Sequence, residues 1–328
     1  MTERLRDKPS TYKVWNQTPN PKTRHTHTDG QKVKLEEQFI VINDKTGDID
    51  YVDYPGDWTC SPSNKENCLC NITFTNNPEG YVPHDKLKEE INETSNIIKI
   101  IDQNKKHLYE LGLTSNAVEE IKNFTIKYRK ETIEHGAIYS KNGTQLFYDS
   151  GTFGEIIFNF TNVSEDDESF SIHNHPIIQN VLQIGKGYSP PSAQDIRSML
   201  QTKKEKYCVV INEKEIFVVK SPQRTYTNEE IEHVCDKIDN VYRKYDIKLR
   251  QELEEYKSFL DNNQTLNNNF KKNFSSRHKN VNLIIKIRKD KVIQLKEEYL
   301  KMKYRYSASN DILDILTQEE LDSYYIEF

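Results

Sequence analysis

The residues of this sequence best suited to chemistry lie in Ser171-Ile-His-Asn-His-Pro176 and, after an intervening segment, in Ser192-Ala-Gln-Asp195. Side chains on a strand alternate between its two faces, so His173 and His175 project to the same side and can share one ion. Asp195 stands near the start of a stretch whose apolar residues Ala193, Ile196, Met199 and Leu200 recur at helical spacing, and is placed to supply a third ligand. Two imidazoles and one carboxylate leave a tetrahedral zinc ion one open position, which a catalytic site needs and a closed structural site lacks.

His173-Asn-His175-Pro176 followed by Ser192-Ala-Gln-Asp195 resembles the signature of the JAB/MPN/JAMM metallopeptidases, in the form of their prokaryotic and phage members, over about residues 90 to 222. The resemblance implies an α+β fold, a mixed sheet flanked by helices of the JAMM/cytidine-deaminase-like kind. It implies a zinc ion on His173, His175 and Asp195, and hydrolysis of a peptide or isopeptide bond in a protein or peptide substrate. It also implies an upstream glutamate as general base. Glu134 is the candidate, with Gly136 two places on to let backbone approach the ion; Glu131 is the alternative. Ser192 would donate to the oxygen that becomes negative in the tetrahedral intermediate, or serve as a plain helix cap. A His-x-His pair alone is more often structural than catalytic, and Pro176 with the Ser-x-x-Asp unit turns the reading toward metal. His135 points away from the Glu134 face and reads as structural. The segment Ile177–Pro191 exceeds the usual family loop and is expected to border the cleft as a lid or specificity element, given Gly185-Lys-Gly187.

The elements that must position these groups are set within 328 residues, enough for two or three units. Hydrophobic content of 35%, charged content of 30% and a mean hydropathy of -0.85 describe a very polar chain. A net charge of -5 argues against nucleic-acid binding by the chain as a whole. No apolar run reaches the ~18 residues of a membrane span, and Met1-Thr-Glu-Arg-Leu-Arg-Asp-Lys8 lacks the apolar core of a signal peptide. The expected setting is the host cytoplasm, with association to a virion. Five cysteines, unevenly spread, do not make a disulfide framework.

Residues 1–80 read as a small loop-rich β module, with turn signals at Asn20-Pro21, Asp29-Gly30, Thr46-Gly47 and Pro55-Gly56 and strands at Gln31–Leu35, Phe39–Ile42 and Ile49–Val52. The order Trp15, Thr23-Arg24-x-x-His27, Asp29-Gly30, Phe39, Tyr54-Pro-Gly-Asp57 and Cys68-Leu-Cys70 resembles part of the phage minor head protein (Mu F-like head morphogenesis) family, over about Lys13 to Phe74. That resemblance implies capsid or portal proteins as partners. His25, His27, Cys60, Cys68 and Cys70 are types that bind zinc, yet Cys68 and Cys70 are separated by one residue where structural fingers use two to four. The favoured reading is that Arg24 and the histidines hydrogen-bond turns and the cysteines fill apolar space, with a metal staple as the alternative.

Residues 88–222 form the expected JAMM-like domain. Its apolar spacing predicts two helices between Asp85 and Arg129, broken near Gly112-Leu-Thr-Ser115 with Ser115 as the second cap. A hairpin follows across Asn142-Gly143, then strands at Glu155–Phe160 and Phe170–His175, an acidic loop between them, a helix from Ser192, and a hairpin of Tyr207–Ile211 with Glu215–Val219. Residues 226–328 read as a helical tail. Thr227-Asn-Glu-Glu230 is a capping box before a long amphipathic helix, the basic stretch Lys271–Arg305 reads as a solvated face, and Ile312, Leu313, Ile315 and Leu316 mark a last helix. A non-catalytic virion component, or a packaged toxin-like cargo protein, is the alternative to the peptidase.

Overall fold

The structure, a computed structural model, describes residues 10–18, 24–66, 68–151, 156–161, 163–164, 168–175, 190–212, 215–222, 224–244, 247, 251, 309–318 and 321–327. Pro176, most of the segment Ile177–Pro191, the centre of the acidic loop, Glu213-Lys214 and the stretch Lys271–Arg305 lie outside them. The chain is mixed α+β and divides into two compact units. One takes in the described residues up to Lys127 together with Ile326 and Glu327, the other those from Tyr128 to Tyr325.

The first unit carries β1 (Tyr12–Asn16), a 3-10 turn (Thr26–Thr28), β2 (Lys32–Lys34), β3 (Phe39–Ile42), β4 (Ile49–Val52), a short α1 (Pro62–Lys65), β5 (Asn71–Thr75), α2 (His84–Leu111) and α3 (Ser115–Tyr128), whose last residue falls in the second unit. β1 lies between β2 and β5, antiparallel to both, while β3 and β4 form a separate hairpin. The four residues of β3 are all buried because the strand has a core on each side. Phe39 and Val41 join Trp15, Val33 and Val52, whereas Ile40 and Ile42 meet Ile91 and Ile98 of α2. A strand covered on both faces is a continuous apolar run instead of an alternating one. α2 ends at Gly112, whose φ of 105° closes the helix in the left-handed conformation that glycine adopts freely. The cap of α3 is Thr114, not Ser115: Thr114 Oγ1 accepts the Ala117 N–H at 3.2 Å, and Ser115 is already helical.

The second unit is built on β6 (His135–Tyr139), β7 (Gln145–Ser150), β8 (Ser169–Asn174), α4 (Ala193–Gln201), β9 (Glu205–Ile211), β10 (Glu215–Lys220), α5 (228–244), α6 (Ser309–Gln318) and β11 (Ser323–Glu327). The strand order is β11-β10-β9-β8-β6-β7. β8 and β9 are parallel, and the β6/β7, β6/β8 and β9/β10 pairs are antiparallel, so the sheet is mixed. The parallel pair is joined through α4, the crossover that parallel neighbours require. Ile196 and Met199 of α4, Ile231, Val234 and Ile238 of α5, and Ile312 and Leu316 of α6 share one core with Val210, Phe217 and Val219 of the sheet.

Two further expectations are corrected. Of the strand expected at Glu155–Phe160, the described residues 156–160 form no ladder. They keep a strand's alternation, but the segment is held by side-chain packing, with Phe158 against Phe147 and His173, and not by a backbone ladder. The carboxyl end is not helical throughout: after α6 the chain turns into β11, where Tyr325 stacks on Phe217 at 5.7 Å.

Candidate metal centre

β8 delivers the two histidines and the start of α4 delivers the carboxylate. His173 lies on β8; His175 is one residue past its end, but its N–H still donates to Ile211 O at 2.7 Å, which prolongs the extended geometry and keeps both rings on one side. Register places Ser171 beside Cys208 and His173 beside Val210, on the face that α4 covers. The carboxyl end of a parallel strand facing a helix amino terminus is where α/β sheets hold ligands.

His173 Nε2 and His175 Nε2 are 3.2 Å apart, and they lie 3.2 and 3.4 Å from Asp195 Oδ1 and Oδ2 respectively. Nitrogen and oxygen donors about 2.0–2.2 Å from a tetrahedral zinc ion are separated by about 3.3–3.6 Å; the imidazole pair lies within about 0.1 Å of that range, each ring faces a different oxygen of the one carboxylate, and a single donor atom from each of the three residues lies within 4.8 Å of the other two. The His173 ring meets Phe158 edge-on at 5.7 Å. Burial favours a neutral Asp195, but the two imidazoles outweigh it and hold the carboxyl well below the usual range.

Ser192 is the cap of α4. Its Oγ donates to Asp195 Oδ2 at 2.7 Å, its backbone N–H donates to the same oxygen at 2.7 Å, and it accepts the Asp195 N–H at 3.2 Å. This capping box fixes the carboxylate toward the histidines, so Ser192 positions Asp195. The hydroxyl proton assigned from sequence to an oxyanion is engaged with Asp195.

A cleft of about 320 Å³ opens on this triad, with Ile156, Ile157 and Phe158 as its apolar wall. Glu134, 7% exposed, lines it, whereas Glu131 is exposed on the surface. Sequence reasoning missed the device that sets Glu134. The buried Asn174 side chain accepts the His135 N–H at 2.7 Å and donates to Ile133 O at 3.1 Å, gripping the backbone on both sides of the glutamate. His135 itself stacks on Tyr128 at 4.4 Å and bonds Tyr148 Oη at 2.9 Å, a structural role. A second acid, Glu205, also lines the cleft. Burial pushes its carboxyl up to about 8 against the hydrogen bond from Ser171, so it is protonated at neutral pH. It is the first residue of β9, ten residues after Asp195, and nothing in the sequence sets it apart from the neighbouring charged residues.

Gly136 packs beneath the apolar wall of the cleft. A Cβ there would lie 2.5 Å from Ile156 Cδ1 and 2.9 Å from Phe158 Cε1 and Cζ. The absence of a side chain at this position seats the apolar wall. Gly136→Ala is expected to cost about 1–3 kcal/mol through overpacking, read as a lowered melting temperature, and to weaken zinc binding by tilting His173 through Phe158.

Of the first unit's candidates, the structure brings together His25, Cys68 and Cys70. His25 Nδ1 lies 3.6 Å from Cys68 Sγ and 3.7 Å from Cys70 Sγ. The hydrogen bond from Cys70 pulls the Cys68 thiol down to about 4, and the same bond pushes Cys70 above the usual thiol range. His27 is engaged elsewhere, its Nδ1 2.6 Å from Asp44 Oδ1. Cys60 faces Asp50 Oδ2 at 3.5 Å and is pushed up to about 12 by burial and that carboxylate. Arg24 does hold turns, donating to Ser63 O at 2.5 Å and Glu66 O at 2.6 Å. Comparison with models of known protein families, with curated proteins and with solved structures finds no match for this chain.

Proposed function

We propose that this protein is a zinc-dependent peptidase that hydrolyses a peptide or isopeptide bond in the cleft of its second unit. The observation that carries the reading is the convergence of His173, His175 and Asp195 at the cleft, two imidazoles and one carboxylate with donor atoms within 4.8 Å of one another, the donor set of an open zinc site. A zinc ion there supplies Lewis acidity and brings the pKa of water near about 7. Glu134, gripped by Asn174 at the cleft wall, takes the proton of the attacking water and returns it to the departing amine. Asp195 is held by the Ser192 cap, and Ile156 and Phe158 limit water around the scissile bond. The resemblance of the motif to JAB/MPN/JAMM metallopeptidases supports the same reaction. The first unit's resemblance to phage head proteins favours a substrate met in or by a phage particle.

Incubation of the full chain with quenched peptide and isopeptide substrates tests this. Hydrolysis is expected, abolished by chelator and restored by zinc. A zinc-loaded chain that turns over neither bond would favour the non-catalytic virion component. Ser192→Ala is expected to cost about 1 kcal/mol of stability and about 10- to 100-fold in zinc affinity, with kcat at saturating zinc nearly unchanged. A large fall in kcat with full zinc occupancy would instead give the hydroxyl an oxyanion role.

A further inference from the structure

The cluster in the first unit has more order than apolar filling needs. The Asn64 amide is oriented by its own bonds, since Nδ2 donates to Asp50 Oδ2 at 2.9 Å and to Asp48 O at 3.3 Å. Its Oδ1 therefore faces His25 Nε2, at 3.2 Å, as an acceptor. That fixes the tautomer: Nε2 carries the proton, and Nδ1 turns its lone pair toward both sulfurs. Metal-binding histidines are held in this way by a carbonyl oxygen behind the ring. The Trp15 ring sits edge-on to His25 at 6.0 Å and closes the apolar side.

The single residue between the cysteines is no obstacle. Cys68-Leu69-Cys70 runs directly into β5, and in an extended chain residues two apart project to one side, as His173 and His175 do. Zinc holds sulfur at about 2.3 Å and imidazole nitrogen at about 2.0–2.1 Å, which sets a tetrahedral N···S edge of about 3.5–3.6 Å. The observed separations are 3.6 and 3.7 Å.

We infer that His25, Cys68 and Cys70 form a second zinc centre, structural in role, which ties the segment preceding the 3-10 turn to the segment entering β5. The ion joins positions 43 and 45 residues apart in a unit whose sheet core is Trp15, Val33, Phe39, Val41 and Val52 with few others. Such a staple suits a loop-rich unit of thin core. Cys60 and His27 take no part, being committed to Asp50 and Asp44. Among the described residues three donors meet here, so the structural role rests on the tie between two distant segments and not on a closed coordination shell. This inference does not depend on the peptidase reading, because its donors belong to a different unit and include sulfur.

Cobalt(II) reconstitution of the reduced full chain under anaerobic conditions separates the two centres, since a sulfur-to-cobalt charge-transfer band can arise only where thiolates bind. The band is expected to reach the amplitude of one thiolate-bound ion per chain, to vanish in a Cys68→Ser/Cys70→Ser double variant, and to persist in Cys60→Ser and in His173→Ala. Absence of the band from the wild-type chain, its survival in the double variant, or its loss in Cys60→Ser would overturn the assignment. Should the double variant not fold, alkylation of the zinc-loaded wild type, mapped by mass spectrometry, replaces it. Cys68 and Cys70 are expected to be protected until chelator is added, and equal labelling with and without chelator would overturn the proposal.

Discussion

Replacing Glu134 by Gln is expected to lower kcat for peptide or isopeptide hydrolysis by about 10²- to 10⁴-fold, the contribution of a well-placed general base, while zinc content stays at the wild-type level. The amide occupies the same space on the cleft wall and keeps the backbone grip of Asn174, but it cannot accept the proton that an attacking water must lose. Glu131→Gln is the matched control. That side chain is exposed, and its replacement is expected to change kcat by less than about twofold, in line with surface substitutions generally. Steady-state rates beside metal analysis of both variants check the pair. Similar losses in the two, or loss of zinc from Glu134→Gln, would remove Glu134 from the role of base.

Removing a ligand acts on affinity and on the fold together. His173→Ala leaves two of three donors, and the variant is expected to lose both hydrolysis and the zinc of this centre. It also leaves Asp195 charged and largely buried without the partner that most opposes the cost of its burial. Breaking a buried pair from one side costs about 3–5 kcal/mol. The lower end applies here, because His175 and the Ser192 cap remain on the carboxylate. Asp195→Asn makes the complementary test. The amide keeps the shape of the carboxylate and removes its charge, so zinc and activity are expected to fall with a smaller loss of stability. Metal analysis and thermal unfolding of the two variants give the comparison. A His173→Ala protein as stable as wild type and still zinc-loaded at this centre would separate the imidazole from the site.

The parts of this arrangement that were legible in the sequence are those whose physics is local. Asn142-Gly143 marks the β6–β7 turn because glycine takes the positive φ there, 80° in the structure. Gly112 ends α2 for the same reason, and the spacing of His173, His175 and Asp195 carries through because strand alternation and a helix cap are short-range geometry. What could not be read depends on contacts distant in sequence. β1 and β5 are polar strands whose pairing is set by Trp15 and Ile72 turning into the core. The Ile156–Phe160 run alternates like a strand but is held by ring packing of Phe158 on Phe147 and His173 instead of a ladder. β11 follows a helical stripe without a composition change that announces it. Glu205 and Asn174 are ordinary polar residues in the sequence; only the register of β8 beside β9, and of β6 beside β8, puts one in the cleft and the other around Glu134.

Anomalous scattering at the zinc edge from crystals of the zinc-loaded full chain tests the central claim most directly. The expected result is a peak about 2.0–2.2 Å from His173 Nε2, His175 Nε2 and an oxygen of Asp195, the range for zinc on nitrogen and oxygen donors. Crystals from the same zinc-saturated protein with no peak among those three side chains would contradict it.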